Sequence, residues 1–282
     1  MKGKGICKMI INTNAAASAA IYSLDQTNVQ LRKSLTRLSS GLRINSSSDD
    51  PGGLAVSLKL SVAIRRTDAV SANAGNALAY LQTQDGVLQT ANSVLLRMSE
   101  LAALASDEAT TTDDDRALYD TEFQDLSEQM TNLLTEEFNG IPLFANPADT
   151  LSLKTSIDGG QSMAITQVDL EDIATAIGAL NITSSATATT AADALDDKIQ
   201  ELAVLRANNG AEQSRVTFAQ DILAVNRNNL EAANSQIMDA DIAQESTNYA
   251  RNSILADAGV AMLAQANTKA ERALKLLEFS SP

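Results

Sequence analysis

Three stretches of the 282-residue chain carry apolar residues at alternating spacings of three and four, and this pattern restricts the fold more than any other feature. Ile21, Leu24, Asn28, Leu31, Leu35, Leu38 and Leu42 make the first series. Leu81, Gln84, Leu88, Ala91, Leu95, Met98, Ala102 and Ala105 make the second. Val216, Ala219, Leu223, Asn226, Leu230, Ala233 and Ile237 make the third. A strand alternates with period two, whereas a 3,4 repeat sustained over three heptads lines one side of a helix and asks for a partner helix. Asn28, Gln84 and Asn226 interrupt the three series, as polar residues do where they select register at a cost in stability.

Helices of this kind do not need large side chains, and the chain has few. It is 44% hydrophobic but 3% aromatic, with no Trp and four Pro. Ala and Leu therefore supply most of the apolar surface, which favours long helices packed through narrow seams. The last forty residues, with "SILADAGVAMLAQANTKAERALKLLEF", have an apolar face too wide for a solitary surface helix. Neither end can cover its stripe alone, and isolated helices are marginal in water. The two ends are expected to pair with each other, with other copies, or both. The fold class expected is mainly α: long antiparallel helices in coiled-coil layers, an elongated subunit with paired termini, and a small β-hairpin region.

Between the helical segments the grammar changes twice. "SDEATTTDDDRA" ends the second series, and Asp113, Asp114 and Asp115 suit the start of a third helix running through Phe123, Leu126, Met130 and Leu133. Asn139-Gly140 and Pro142 then mark turns, and "LSLKTSI", "DGG" and "QSMAITQVDL" alternate about a glycine turn as a hairpin does, within about 140–180. The Ser/Thr/Ala run "ITSSATATTAA" at 182–192 is expected to be a flexible surface tip, with hydroxyls open to glycosylation in an exported protein.

Several function classes lose their footing on residue types alone. Without His the chain lacks the commonest general base and metal ligand. The single Cys7 cannot form an internal disulfide, and it reads as an exposed, dispensable thiol in "MKGKGICK", an extension (1–8) expected to be absent from the mature protein, which would start at Met9. No phosphate-binding glycine loop or metal-ligand spacing is present. The expectation is a protein that is not an enzyme and takes no cofactor, with no catalytic and no metal site. The net charge of −14 disfavours nucleic acid, and no run of apolar residues is long enough for a membrane span. Lys2, Lys4, Lys8, Arg32, Lys33, Arg37 and Arg43 face only Asp25 in the first 45 residues, while the acids from Asp85 to Asp149 face only Arg97 and Arg116. Such asymmetry fits solvated helix faces or attraction between copies.

The join between the first and second series is "LSSGLRINSSSDDPGGLAVS", residues 38–57. Leu38 and Leu42 end the first seam, and Asp50 with Pro51 has the form of an N-cap followed by proline at N1. Gly41, Arg43, Asn45, Asp49, Asp50, Pro51, Gly52 and Gly53 are the connector residues. Proline is expected to stiffen the start of the next helix, and the two glycines to loosen the backbone just after it.

"MIINTNAAASAA" with "LTRLSSGLRINSSSDDPGGLAVS" resembles the N-terminal region of bacterial flagellins, and "NRNNLEAANSQIMDADIAQESTNYARNSILADAGVAMLAQAN" resembles their C-terminal region. The resemblance implies a minimal flagellin, a subunit that polymerises into the extracellular flagellar filament and serves swimming motility. It implies an inner coiled-coil domain from 9–40 and 241–282, a connector at 41–53, and an outer helical domain at 54–240 whose seam includes Leu88, Leu95, Met98, Val216, Leu223, Asn226, Leu230 and Ile237. It also implies self-association, secretion without a cleaved signal peptide through the type III apparatus, an export chaperone on about Asp241–Phe279, and contact with hook-associated and cap proteins. A Toll-like receptor surface would use Arg97, Leu101 and Glu122, matching the R-x-x-x-L motif and the acid on the following helix. "SSSDDPGG" and "NTKAERALKLLEFSSP" depart from the usual forms. The alternatives are a hook–filament junction protein, which shares the terminal plan, and a soluble coiled-coil adaptor.

Overall fold

The structure is a computed structural model, and it describes residues 13–146, 148–156 and 160–278. The expectations for the 1–8 extension, Cys7, Met9, the Asp158-Gly159 turn and Phe279 lie outside the described residues. The elements in order are α1 (Ala15–Ser40), α2 (Pro51–Ser106), α3 (Asp113–Leu133), β1 (Glu137–Phe138), β2 (Ile141–Pro142), β3 (Thr150–Lys154), β4 (Ser162–Thr166), α4 (Glu171–Gly178), α5 (Ser185–Met238) and α6 (Ile242–Glu278). The chain divides into two units, one of residues up to Ser61 and from Glu231, the other Val62–Leu230. The first turns of α2 and the last of α5 thus belong with the terminal helices, several residues beyond the expected boundaries at 53 and 241. Within that unit Ser57 Oγ donates to Asn234 Oδ1 at 2.7 Å.

In the Val62–Leu230 unit the second heptad series is realised in full. Leu81, Gln84, Leu88, Ala91, Leu95, Met98, Ala102 and Ala105 are all sealed from solvent. The α5 side is built on a strict seven-residue step, Leu195, Leu202, Asn209, Val216 and Leu223, all buried. Asn226, expected on this seam, is exposed. The buried polar member is Asn209, which donates to Gln84 Oε1 at 2.6 Å and accepts from Gln213 at 2.6 Å. Gln84 in turn donates to the Leu143 carbonyl at 2.7 Å. A buried amide must be paired, and this relay pairs both seam amides while tying α5 and α2 to the strand segment.

Helix α3 starts as its acids predict. Thr112 and Asp115 cap reciprocally, with Asp113–Asp115 in the first turn. Two short antiparallel hairpins come after it. In β1–β2 the two turn residues Asn139 and Gly140 both have positive φ, 52° and 77°, the conformation a two-residue hairpin needs. In β3–β4 Leu151 opposes Ile165 and Leu153 opposes Met163, which puts the apolar alternation on one face against the helices. The short helix α4, not expected from the sequence, buries Ile173, Ala174 and Ile177.

The Ser/Thr/Ala run is no flexible tip. From Ser185 it forms the first turns of α5 and buries Ala188 and Ala191. Thr189 and Thr190 donate their hydroxyls to carbonyls four residues back, and the alanines are strong helix formers. Low sequence complexity concealed a periodic alanine face.

Candidate assembly surface

The terminal unit is organised around α1 and α6, the termini expected to pair, and they do. Asn14 caps α1 through its side chain and donates its amide to the Ala266 carbonyl of α6 at 3.1 Å. Arg37 and Glu245 approach to 3.6 Å, and Glu245 is buried. Leu24 packs against Gly259, where an added Cβ would lie 3.1 Å from Leu24 Cδ1.

The first heptad series splits between two sides of α1. Leu24, Leu31 and Leu38, spaced by seven, are half-buried toward α6, as is Asn28; Leu42, past the helix end, is half-buried where it bridges to Asp239, and Ala17 and Ser34 are buried. Ile21 and Leu35 are not in that seam: they are 54% and 55% exposed, beside exposed Tyr22 and Val29. One neighbouring helix covers only part of a 3,4 stripe, and α6 covers the Leu24 side.

Helix α6 is arranged the other way round from a self-sufficient amphipathic helix. Its shielded positions are Asn248, Asn252, Ser253, Ala256, Gly259 and Ala266 together with Tyr249 and Leu263. Its large apolar residues Ile254, Leu255, Val260 and Met262 are 50–69% exposed. Helix α6 thus meets the leucines of α1 mostly with small and polar groups, beside Tyr249 and Leu263, and leaves Ile254, Leu255, Val260 and Met262 outward. Large apolar side chains left this exposed on one helix point to an interaction site.

The connector is held by polar bonds throughout. Gly41 ends α1 at φ +72°, a left-handed conformation suited to glycine, and its N–H donates to the Arg37 carbonyl. Leu42 then bridges to Asp239, Arg43 N donates to the Met238 carbonyl at 2.6 Å, and Ala240 N donates to the Gly41 carbonyl at 2.9 Å. The Arg43 guanidinium adds a bond to the Ile237 carbonyl at 2.7 Å. The α1–α2 and α5–α6 junctions are thus stitched together backbone to backbone. Asn45 donates its amide to Ser40 Oγ and the Leu42 carbonyl.

Two adjacent aspartates do different work in this segment. Asp49 takes Lys33 Nζ at 2.8 Å and the Asn45 and Ser46 amides, and the Lys33 hydrogen bond chiefly holds its carboxyl down at about 2. Asp50 is the α2 N-cap, accepting from Gly53 N at 2.9 Å, with Pro51 as the first helical residue. Gly52 and Gly53 both lie inside the first turn of α2. The space a Gly53 side chain would need is filled: its Cβ would fall 2.5 Å from Asp50 Oδ2 and 2.8 Å from Cδ1 of buried Ile44. Sequence reasoning missed Ile44, an isolated apolar residue in a polar run, and missed Asn209, whose seven-residue spacing from Val216 was its signal.

Of the remaining expected residues, Leu88, Leu95, Met98, Val216 and Leu223 are core, and Leu230 and Ile237 are half-buried. Arg97 and Glu122 are brought together, Nε to Oε1 at 2.8 Å, with Glu100 at 3.1 Å from the same guanidinium, and the two carboxylates raise the pKa of Arg97. Leu101 is 1% exposed and belongs to the core instead of that surface. Among the described residues, no helix is long and apolar enough to cross a membrane.

Comparison with known proteins bears on both terminal regions. Residues 11–149 match the model of the bacterial flagellin N-terminal helical region, and residues 192–277 match that of the C-terminal helical region. The chain is 38% identical over 272 residues to a flagellin of Halalkalibacterium halodurans, covering 95% of this chain and all of that one. It is 34% identical over 286 residues to the flagellar filament 33 kDa core protein of Treponema phagedenis, with the same coverage. A candidate flagellar hook-associated protein from Vibrio parahaemolyticus shares the fold, with a TM-score of 0.57 at 14% identity over 68% of this chain and all of that one. With both terminal regions matched and full-length relatives above 30% identity, the chain belongs to the bacterial flagellins, the structural subunits of the extracellular flagellar filament.

Proposed function

We propose that the outward apolar residues of the terminal unit, Ile21, Tyr22, Val29 and Leu35 on α1 with Ile254, Leu255, Val260 and Met262 on α6, are the surface through which subunits associate in the filament. The observation that carries this is the arrangement of α6, where Ile254, Leu255, Val260 and Met262 are 50–69% exposed while Gly259, Ala256 and Ala266 lie among its shielded positions. In an isolated chain that arrangement wastes apolar surface, and a polymer recovers it. The connector, stitched to the α5–α6 junction, sets how the terminal unit continues into α2 and α5.

The same surface bears on export. The chain is proposed to leave the cell without a cleaved signal peptide, with an export chaperone covering the apolar face of α6 until polymerisation does. Hook-associated and cap proteins would meet the same face at the filament ends. A host Toll-like receptor surface is proposed at Arg97 and Glu122 without a contact from Leu101.

Leu35→Asp tests the assembly surface. Leu35 is 55% exposed, so the monomer should keep its helicity and melting temperature. In the polymer the variant forfeits about 1 kcal/mol of apolar transfer and strands a carboxylate at a cost of several kcal/mol. A combined loss of about 3 kcal/mol or more raises the critical concentration at least about a hundredfold. Sedimentation after seeding measures it. Polymerisation within about threefold of the parent concentration would remove Leu35 from the surface.

A further inference from the structure

Peroxides act on thiols and thioethers, and the chain's sulfur groups are Cys7 and seven methionines. Five of these, Met98, Met130, Met163, Met238 and Met262, are among the described residues. Met98 and Met130 are sealed in the core of the Val62–Leu230 unit, and Met163 on β4 is buried against the same core. Met238 is half-buried at the end of α5. Of the five, Met262 alone stands open, 66% exposed near the middle of α6. Leu255, seven residues before it and also exposed, shares its side of the helix. The one readily reached thioether among the described residues thus lies on the apolar surface proposed for assembly.

We infer that Met262 is an oxidation site that governs assembly: a peroxide converts its thioether to the sulfoxide while the chain is unpolymerised, and the sulfoxide keeps that chain out of the polymer. The inference rests on the assembly surface proposed above and names a chemical control on it. With hydrogen peroxide the O–O bond breaks, one oxygen bonds to Sδ, and the other leaves as water. Sulfur gives up two electrons and the peroxide takes them. A dithiol reverses the change: the oxygen departs as water, the thioether returns, and the two thiols close to a disulfide. The sulfoxide is a polar hydrogen-bond acceptor on a row that association must dry, and burying such a group without a partner is unfavourable. The thioether it replaces is apolar and unbranched, and adapts its shape to whatever packs on it. Protection follows from the same geometry. Once copies cover the row, peroxide no longer reaches Met262, so oxidation acts on chains awaiting assembly and spares those already in the polymer.

Peroxide treatment of the unpolymerised chain tests this, with Cys7→Ser as the background so that thioethers are its only sulfur. Peptide mass spectrometry should find the added oxygen on Met262 at least about tenfold sooner than on Met98 or Met130; equal rates would overturn the selectivity. In seeded elongation the treated chain should need a subunit concentration at least about tenfold higher than the untreated one. A pair of methionine sulfoxide reductases, one for each sulfoxide epimer, supplied with a dithiol should restore it. Met262→Leu, close in volume and apolar character, serves as the control: after the same treatment it should elongate within about threefold of its untreated concentration. A loss as large as the parent's would place the effect on another methionine and overturn the inference. Met262 sulfoxide that elongates normally would overturn it as well, and would remove Met262, though not Leu35, from the assembly surface. Failure of the untreated chain to elongate seeds overturns the surface reading itself. In finished polymer Met262 should oxidise at least about tenfold more slowly than in the free chain, and equal rates would overturn the protection.

Discussion

Gly52 and Gly53 sit side by side at the start of α2, yet replacing each by alanine should move stability in opposite directions. At Gly52 an added Cβ meets only Asp50 Oδ1, at an ordinary 3.6 Å. Restricting the unfolded chain then stabilises the helix start by about 0.4–1 kcal/mol. At Gly53 the Cβ falls 2.5 Å from Asp50 Oδ2, 2.9 Å from Asp50 Cγ and 2.8 Å from Ile44 Cδ1, so something must move. The carboxylate can swing aside only by releasing Gly53 N, which forfeits an N-cap worth about 1 kcal/mol. Ile44 is 3% exposed, and displacing it costs about 1–3 kcal/mol as overpacking does. Alanine's helix propensity returns about 1 kcal/mol. The balance is a destabilisation of about 1–3 kcal/mol for Gly53→Ala, opposite in sign to its neighbour.

Urea unfolding of the unpolymerised chain, with hydrogen exchange at Gly53 and Leu54 to localise the effect, measures both. A further variant separates the two causes. In an Asp50→Ala background the carboxylate clash is gone, so Gly53→Ala should cost less than in the parent, a non-additivity expected of touching groups. If Gly53→Ala matches or exceeds the parent in stability, the close packing around Gly53 has no energetic weight. Equal penalties at 52 and 53 would reduce the pair to a general intolerance of substitution.

Acid should act on the connector through Asp49. Its carboxyl is depressed from 3.8 to about 2, so its stabilising contribution is complete above 3.8 and is lost as the pH falls through that window toward about 2. Carboxyl NMR should find it titrating near the lower value, and Lys33→Met should move it upward; an unmoved titration would separate it from Lys33. Asn209→Leu should destabilise the monomer by about 1–3 kcal/mol by stranding the buried Gln84 oxygen, whereas Asn226→Leu, at an exposed position, should stay within about 0.5 kcal/mol. Thermal melts decide between them, and the reverse order would restore Asn226 to the seam. Leu101→Ala should cost about 2–5 kcal/mol as a core truncation, so any loss of receptor recognition it causes should track loss of fold in melting curves.

What the sequence disclosed depended on how many partners each stripe serves. The α2 series was legible residue by residue, because helices and hairpins of the same unit cover it completely and leave Gln84 to pair with Asn209 inside. The seam on α5 was read from Val216 onward and its polar member misplaced. Asn226 fits the 3,4 spacing but is exposed, whereas the positions on the seven-residue step from Leu202 to Leu223 are all buried. The expected tip at 182–192 failed for a related reason: small residues look unstructured by composition, yet Ala188 and Ala191 repeat at helical spacing against the core. The contact between Gly53 and Ile44 was beyond reach, since nothing in a polar run announces that the chain will turn back and bring the two together.

The α1 series shows why a correct periodicity can still mislead. Leu24, Leu31 and Leu38 form one seven-residue row and Ile21 and Leu35 belong to another, yet a 3,4 pattern merges the two into a single stripe. In the monomer α6 covers the first row and, of the second, Asn28 between Ile21 and Leu35, and it does so mainly with Gly259, Ala256 and asparagines beside Tyr249 and Leu263, so much of the contact is small or polar. Helices so paired gain modestly from each other, and isolated helices are marginal in water. The second row, together with Ile254, Leu255, Val260 and Met262, gains only when other copies arrive. Association then stabilises the terminal unit by mass action, as any partner that binds only the folded state does. Folding of this unit and growth of the filament are in that sense one equilibrium. A charge placed at Leu35 should therefore weaken polymer without unfolding monomer, while a bulky residue at Gly259, 3.1 Å from Leu24 as soon as a Cβ is added, should weaken both together.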